Sequence, residues 1–293
     1  MTSTDTNQQS LQDEIADLER QLKDAKSRLK TAPLALPSTT PPNDVALHAL
    51  LLLSDSALPL GSFAFSSGLE SYLAHHRPSP PTSSQVSSFH TFFRLSLSTL
   101  AGTALPYVLA AYREPNLIER LDNDLDASTP CTVARRASVA QGRALLAVWD
   151  RSFRTHYSSD SPTNGYPTPI DALTEFQSLI RSSSSYGAEF QVNAHLAPLW
   201  GLITRVLRVP LPDAAYLFLF SHARTVISAA VRASVLGPYQ AQAILASKEL
   251  QERIRSLMEE MWERKVEDAG QTVPVMDLWV GRHEKLYSRI FNS

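Results

Sequence analysis

Residues 51–70 read LLLSDSALPLGSFAFSSGLE and mark a break between two helical patterns. An apolar helical stretch ends at residues 54–56, Ser-Asp-Ser. Pro59 cannot continue that helix, because its nitrogen carries no hydrogen and its ring fixes φ. Gly61 can adopt a positive φ or allow a close backbone approach. The stretch therefore predicts a tight turn of the chain rather than one long helix.

A second helix is expected to begin just after Ser66, a good N-cap residue. Glu70 falls in its first turn, where the helix dipole favours a negative charge. Gly68 lacks a side chain and lets another element approach closely. These residues complete a predicted helix–loop–helix with a buried Phe63; a ligand or partner groove built on the loop is the alternative.

Helical periodicity recurs through the rest of the body. Apolar residues follow one another at spacings of three and four, and strand-like alternation bounded by turn signals is missing from the pattern. Residues 122–130 and 158–169 read as surface loops. We predict an all-α fold, a single domain of many short-to-medium helices over residues 44–293. The stripes are Val45, Leu47, Leu50 and Leu51; Phe89, Phe92, Phe93, Leu97 and Leu100; Val133, Ala137, Ala140, Leu145 and Val148; Leu196, Leu199, Trp200, Ile203, Val206 and Leu207; Leu217, Phe220, Val226, Ile227, Ala230 and Val231; Ile244, Leu250, Ile254, Leu257, Met261 and Trp262.

Residues 1–43 form an N-terminal extension of different character. A short heptad helix is followed by a Pro/Ser/Thr linker over residues 31–42. The helix covers fewer than three heptads, so it either pairs as a coiled coil with a partner helix or remains a solvated helix. Its heptad positions are Leu11, Ile15, Leu18, Leu22, Ala25 and Leu29.

Composition limits the class of protein. The formal net charge is −2, which does not favour nucleic acid as a partner. Cys131 is the single cysteine, as in proteins of a reducing compartment. The first ten residues lack a secretory pattern, and apolar runs are interrupted well before 18 residues. We therefore expect a cytoplasmic protein without a membrane span.

Signatures of catalysis are missing. The sequence has no P-loop, no His-Glu-x-x-His and no Gly-x-Ser-x-Gly pattern. His75 and His76 are adjacent, and neighbours on a helix point about 100° apart, which disfavours a shared metal. We expect no catalytic residue and no resident metal site. An enzyme with a site near Ser66 or His283 and an unrelated helical adaptor remain the alternatives.

Three segments, in the right order over residues 44–293, resemble the UreF family of urease accessory proteins. The first is residues 55–70, with its Asp-Ser, Leu-Pro, Gly, Phe, Ser and Gly-Leu-Glu. The second is residues 232–242, Arg-Ala-Ser-Val-Leu-Gly-Pro-Tyr-Gln-Ala-Gln. The third is the end of the chain, residues 276–293, with His-Glu-Lys-Leu-Tyr and Arg-Ile-Phe. The N-terminal extension favours a eukaryotic, fungal-type member.

This resemblance implies an all-helical, homodimeric chaperone for nickel insertion that also regulates a partner GTPase. UreF-like proteins bridge a nickel-carrying UreG-type GTPase and a urease-bound UreD/UreH-type subunit, so that nickel reaches apo-urease. Nickel would be handled transiently, with no permanently bound cofactor. The C-terminal tail, about residues 275–293, would bind a partner; docking on its own domain is the alternative. The implied partner-binding residues are Asp55, Ser56, Pro59, Gly61, Phe63, Ser66, Gly68, Glu70, Arg232, Gly237, Gln240, Gln242, His283, Glu284, Tyr287 and Arg289.

Overall fold

The predicted all-α class is confirmed. A computed structural model describes residues 19–20, 44–75, 85–157, 168–183 and 192–292, and these residues are mainly helical, with no β-strand among them. The helices are α1 (Asp44–Ser54), α2 (Leu69–His75), α3 (Gln85–Thr103), α4 (Leu105–Arg113), α5 (Ile118–Ser128), α6 (Thr132–Val148), α7 (Arg154–Tyr157), α8 (Pro169–Ser183), α9 (Leu196–Val206), α10 (Leu211–Arg232), α11 (Pro238–Leu245), α12 (Lys248–Met261) and α13 (Val275–Arg282).

The chain divides into two compact units, Met1–Asn43 and Asp44–Ser293. Of the predicted heptad helix only Glu19 and Arg20 are described, and both are helical. The rest of that helix, its linker and most of the predicted loop over residues 158–169 lie outside the described residues.

The core of the second unit is built on the close packing of α4 against α9. Gly201 of α9 makes this possible, because a Cβ at that position would lie 2.2 Å from the carbonyl oxygen of Val108 in α4. Side chains of both helices are buried, and Trp200 donates its indole N–H to the Ala214 carbonyl at 3.0 Å. The two long helices α3 and α10 pack beside this pair. The core therefore depends on backbone-to-backbone contact as well as on large apolar side chains.

A buried carboxylate stabilises the turn that precedes α9. Asp122 is completely buried and accepts the backbone N–H groups of residues 193, 194 and 195 at 2.6, 3.1 and 2.6 Å. Ala194 in this turn has φ +70°, a left-handed conformation that is unfavourable for a residue with a Cβ. The three charge-assisted hydrogen bonds offset that cost.

The structure corrects three sequence-based expectations. The predicted acidic loop from residue 122 is helical as far as Ser128, because buried Leu121 and Leu125 anchor that face of α5. The last apolar stripe belongs to two helices, since Ser247 caps α12 by accepting the Leu250 N–H at 3.2 Å. In α1 the core face is made by small residues and one leucine, whereas Val45, Leu47 and Leu51 are exposed.

Two helical stretches reach the length and apolar character of a membrane span. They are Gln85–Arg113 and Leu211–Arg232, with 67% and 56% of their most apolar windows buried inside the fold. The expectation that no segment would reach this length rested on polar interruptions such as Ser and His, which these helices tolerate. Their burial in the core accounts for their apolar composition.

Candidate functional site

The loop between α1 and α2, residues 55–68, is called the motif loop here. It begins where Ser54 ends α1 and donates its hydroxyl to the Leu51 carbonyl at 2.8 Å. Asp55 Oδ1 accepts the Ala57 N–H at 2.9 Å and closes the first turn. Arg224 of α10 donates to the Ser54 carbonyl. Burial lowers the pKa of this guanidinium, and the nearby Asp55 charge opposes that effect.

The middle of the motif loop turns at Gly61, which has φ +69° and open space where a Cβ would lie. A short 3-10 turn, Ser62–Ala64, follows it. Phe63 was expected to be buried, but 68% of it is exposed. Its backbone carbonyl accepts a hydrogen bond from Arg232 of α10 instead, so the residue contributes to the fold through its main chain.

The end of the motif loop is packed tightly. Ser66 is completely buried, and its hydroxyl accepts the Glu70 N–H at 3.4 Å. Ser67 and Gly68 both have positive φ, +53° and +85°. A Cβ on Gly68 would lie 2.9 Å from Val280 Cγ2 and 3.1 Å from the Val280 nitrogen. The close approach expected at Gly68 is therefore present, and the approaching element is α13.

Glu70 collects three donors from the end of the chain. Its Oε1 accepts the Ile290 N–H at 2.6 Å, and its Oε2 accepts the Phe291 N–H at 3.2 Å. Oε2 is also 3.0 Å from Nε2 of His283, which is completely buried. A carboxylate only accepts, so Nε2 carries the hydrogen. The His283 Nδ1 is buried without a partner among the described groups.

Arg232 makes the second connection between the three motif segments. It donates to the Phe63 carbonyl, and its guanidinium lies 4.3 Å from the ring centroid of Phe291. Phe291 is 4% exposed. The Asn292 N–H is donated to the Ala64 carbonyl at 2.7 Å. Segments that are more than 200 residues apart in sequence thus meet at one place.

The C-terminal segment, residues 283–292, is consequently docked on its own domain, which is the alternative left open by the sequence. Glu284 adds an ion pair with Arg136 of α6 at 2.5 Å, and this contact lowers the pKa of the Glu284 carboxyl. Tyr287 and Arg289 face solvent. A partner could meet this segment only on the outer face that remains.

Some implied site residues lie outside the cluster formed by Glu70, Arg232 and His283. Asp55, Ser56 and Pro59 are exposed near the start of the motif loop. Gly237 donates its N–H to Gln240 Oε1 at 3.0 Å, so Gln240 caps its own helix α11. The side chain of Gln242 is exposed and makes no hydrogen bond within the described part of the chain. Residues 237–242 therefore form the start of α11 and are not part of the cluster.

A chamber of about 370 Å³ lies behind the motif loop. Its wall includes Phe65 from the loop, residues of α3, α6 and α10, and Asp277 from α13. His222 of α10 contacts Ser96 of α3 through Nε2 at 2.8 Å, and burial lowers its pKa to about 4, so it is neutral at neutral pH. The hydroxyls of Thr99 and Ser221 are buried beside the chamber without a partner among the described groups. The chamber wall therefore carries a few polar groups among mainly apolar side chains.

Sequence reasoning missed a chain of polar contacts around His195, which is completely buried, and Ser138, which lines the chamber. His195 Nδ1 lies 3.0 Å from the Ser138 hydroxyl, and its Nε2 lies 3.1 Å from Asp126 Oδ1. Asp126 is also paired with Arg135 at 3.6 Å, and Ser138 accepts the Leu196 N–H at 3.3 Å. These contacts join α5, α6 and α9. No sequence motif signals them, because the residues come from α5, from α6 and from the turn before α9.

A metal centre is not evident in the described ranges, where no group of three or more His, Cys, Asp or Glu side chains could hold an ion. The cluster of Glu70, Arg232 and His283 is instead built from carbonyls, backbone N–H groups and one carboxylate. Such an arrangement fixes the C-terminal segment relative to the motif loop and α10.

Comparison with known proteins identifies the family. The UreF family model matches residues 84–249, more than half of the chain. The chain is 35% identical to an uncharacterized urease accessory protein UreF-like of Schizosaccharomyces pombe, over 84% of this chain and 97% of that protein. It is 28% identical to urease accessory protein 6 of Cryptococcus neoformans, over 86% and 98% of the two chains. It is 30% identical to urease accessory protein F of Arabidopsis thaliana, over 82% and 90%.

These likenesses define a class of proteins, the urease accessory proteins. The chain is a member of the UreF family of urease accessory proteins.

Proposed function

We propose that this protein is a nickel-insertion chaperone for urease. It bridges a UreG-type GTPase that carries nickel and a UreD/UreH-type accessory subunit bound to apo-urease. The observation that carries this proposal is the meeting of Glu70 from the first family-like segment, Arg232 from the start of the second, and the C-terminal segment. Proteins of an accessory family are expected to act through partners, and the joining of these segments fixes the outer face that a partner would meet.

In this proposal the chain itself performs no chemical step, and nickel is cargo passed within the complex rather than a resident cofactor. The protein works in the cytoplasm, away from nucleic acid and membrane. It acts as a homodimer. The exposed Leu47 and Leu51, four residues apart on α1, support a protein interface on that helix, because residues at this spacing lie on one face.

The test is genetic and biochemical. In a host from which the gene is deleted, we expect urease protein to persist but to lack nickel and activity. The full chain should restore both and should co-purify with the GTPase and the UreD-type subunit. A matched control is the charge reversal Arg255→Glu on the exposed face of α12, which should restore activity fully. Normal nickel content in the deletion strain would refute the proposal.

The unrelated-adaptor alternative makes a different prediction. If residues 1–43 were the main binding element, their removal would abolish partner capture. We expect a chain beginning at Asp44 to restore urease activity, because the cluster lies entirely within Asp44–Ser293.

A further inference from the structure

We infer that the chamber behind the motif loop is a binding site for a small molecule that is neutral, mainly apolar and carries one hydroxyl group. All of its wall residues belong to the unit Asp44–Ser293. Such a ligand would bind whether or not the chain acts on urease, so the site is independent of the proposed function.

The chamber has the size and the opening of a small-molecule site. Its volume of about 370 Å³ falls within the range of ligand pockets, roughly 300–1,000 Å³. Most of its wall residues are buried or half-buried, but Ser128, Pro130 and Gly270 are exposed. These three residues place the mouth of the chamber between the end of α5 and residue 270. A ligand can therefore reach the chamber from solvent.

Apolar side chains make up most of the inner wall. Trp200 and Phe218 are buried there, and their ring centroids are 6.0 Å apart. Leu100 and Leu196 pack against the hydrophobic core and still keep part of their surface exposed, since they also line the chamber. Water gains few hydrogen bonds at such a surface, so an apolar occupant is favoured over water.

The charges of the wall disfavour an ionic ligand. No Lys or Arg side chain is among the described residues of the wall, so a ligand carboxylate or phosphate would be buried without a counter-charge. Asp277 is the one carboxylate among these residues, and its Oδ1 already accepts the Gln271 amide at 3.1 Å. A cation would therefore gain little in return for its lost hydration. The wall is suited to a neutral molecule.

His222 supplies a polar anchor for that molecule. Its Nε2 lies 2.8 Å from the Ser96 hydroxyl, and its Nδ1 makes no hydrogen bond within the described part of the chain. Because burial lowers its pKa to about 4, the imidazole is neutral at neutral pH. A hydroxyl both donates and accepts, so it pairs with Nδ1 in either tautomer. Two further hydroxyls of the same wall, those of Thr99 and Ser221, are buried without a partner among the described groups.

The first experiment titrates 2-naphthol into the full chain by isothermal calorimetry. We expect one molecule to bind per chain with a Kd on the order of 100 µM. Ala137→Phe places a ring inside the chamber and should weaken binding at least about tenfold. The matched control is Ala140→Phe, which adds the same ring on the exposed side of α6 and should bind 2-naphthol as the wild-type chain does.

A second filling substitution keeps this test decisive. Ala134→Phe fills the chamber from one turn earlier on α6 and replaces Ala137→Phe if that variant does not fold, as judged by far-UV circular dichroism. Absence of binding by the wild-type chain would mean that the chamber holds water only and would overturn the inference. Undiminished binding by a folded filling variant would also overturn it, because 2-naphthol would then lie elsewhere.

The second experiment tests the chemical class of the ligand with naphthalene, anionic 2-naphthoate and cationic 2-naphthylmethylammonium. We expect 2-naphthol to bind about three- to tenfold more tightly than naphthalene, and both ions to bind more weakly than 2-naphthol. His222→Phe should remove the advantage of 2-naphthol and leave naphthalene binding unchanged. Tighter binding of either ion, or an unchanged preference for 2-naphthol in His222→Phe, would refute the assignment of a neutral ligand anchored by its hydroxyl.

Discussion

The packing of α13 on the motif loop can be tested with a matched pair of glycine substitutions, Gly68→Ala and Gly61→Ala. Both glycines have positive φ, +85° and +69°, so alanine incurs a similar backbone cost of about 1–2 kcal/mol at either site. Only Gly68 has a neighbour in the way. Its new Cβ would lie 2.9 Å from Val280 Cγ2, whereas nothing lies within 4 Å of a Cβ at Gly61.

The steric contact gives the expected difference between the two variants. Overpacking of this kind costs about 1–3 kcal/mol, since α13 must shift away from the loop. For a domain of this size that corresponds to a Tm lower by about 2–12 °C for Gly68→Ala than for Gly61→Ala. Thermal unfolding of both purified variants beside the wild-type chain measures it.

A second substitution checks the cause. Val280→Ala removes the methyl group nearest to the new Cβ, so it should recover about 1 kcal/mol in the Gly68→Ala background, as a double-mutant cycle would show. The Val280 nitrogen at 3.1 Å remains, so recovery should be partial. Equal Tm values for Gly68→Ala and Gly61→Ala, or no recovery in the cycle, would refute the reasoning.

Three further predictions concern the core and the chamber. Gly201→Ala should cost at least about 3 kcal/mol and prevent soluble expression, because its Cβ would meet a backbone carbonyl of α4 at 2.2 Å; Gly270→Ala, with open space, should not. Asp122→Asn should lower the free energy of unfolding by about 2–4 kcal/mol in denaturant titration, since an amide cannot accept three N–H groups equally well. Asp124→Asn, at a half-exposed position on the same helix, should have little effect. Burial lowers the pKa of His222 from 6.5 to about 4. Between these two pH values the unfolded chain binds more protons than the folded chain. The free energy of unfolding should therefore fall by about 1–3 kcal/mol as the pH drops from 6.5 to 4. In His222→Gln, the free energy of unfolding should lose this part of its pH dependence, which denaturant titrations between pH 6.5 and 4 would measure.

The sequence by itself determined the helical class and the break between α1 and α2. Apolar spacing of three and four is a local property, as are a proline that cannot continue a helix and a glycine that adopts positive φ. Gly61 and Gly68 were therefore interpreted correctly from sequence. The resemblance of three segments also identified the family, because their order along the chain is visible without a structure.

Burial could not be predicted in the same way. Leu47 and Leu51 follow the apolar pattern of α1, yet small alanines form its core face and the leucines are exposed. Phe63 is exposed as well, and Arg232 binds its carbonyl rather than its ring. Local pattern gives the periodicity of a helix, but the face that is buried depends on which neighbours pack against it.

Only the tertiary structure decided what the charged and polar residues do. From the sequence, Glu70 was expected to interact with the dipole of its own helix. In the fold it accepts hydrogen bonds from the backbone of residues 290 and 291, more than 200 residues away. Asp122 looked like part of an acidic loop, and it is a buried acceptor for three backbone N–H groups. The local sequence around a carboxylate does not specify which donors it will bind. Its role is set by the donors that long-range packing brings to it.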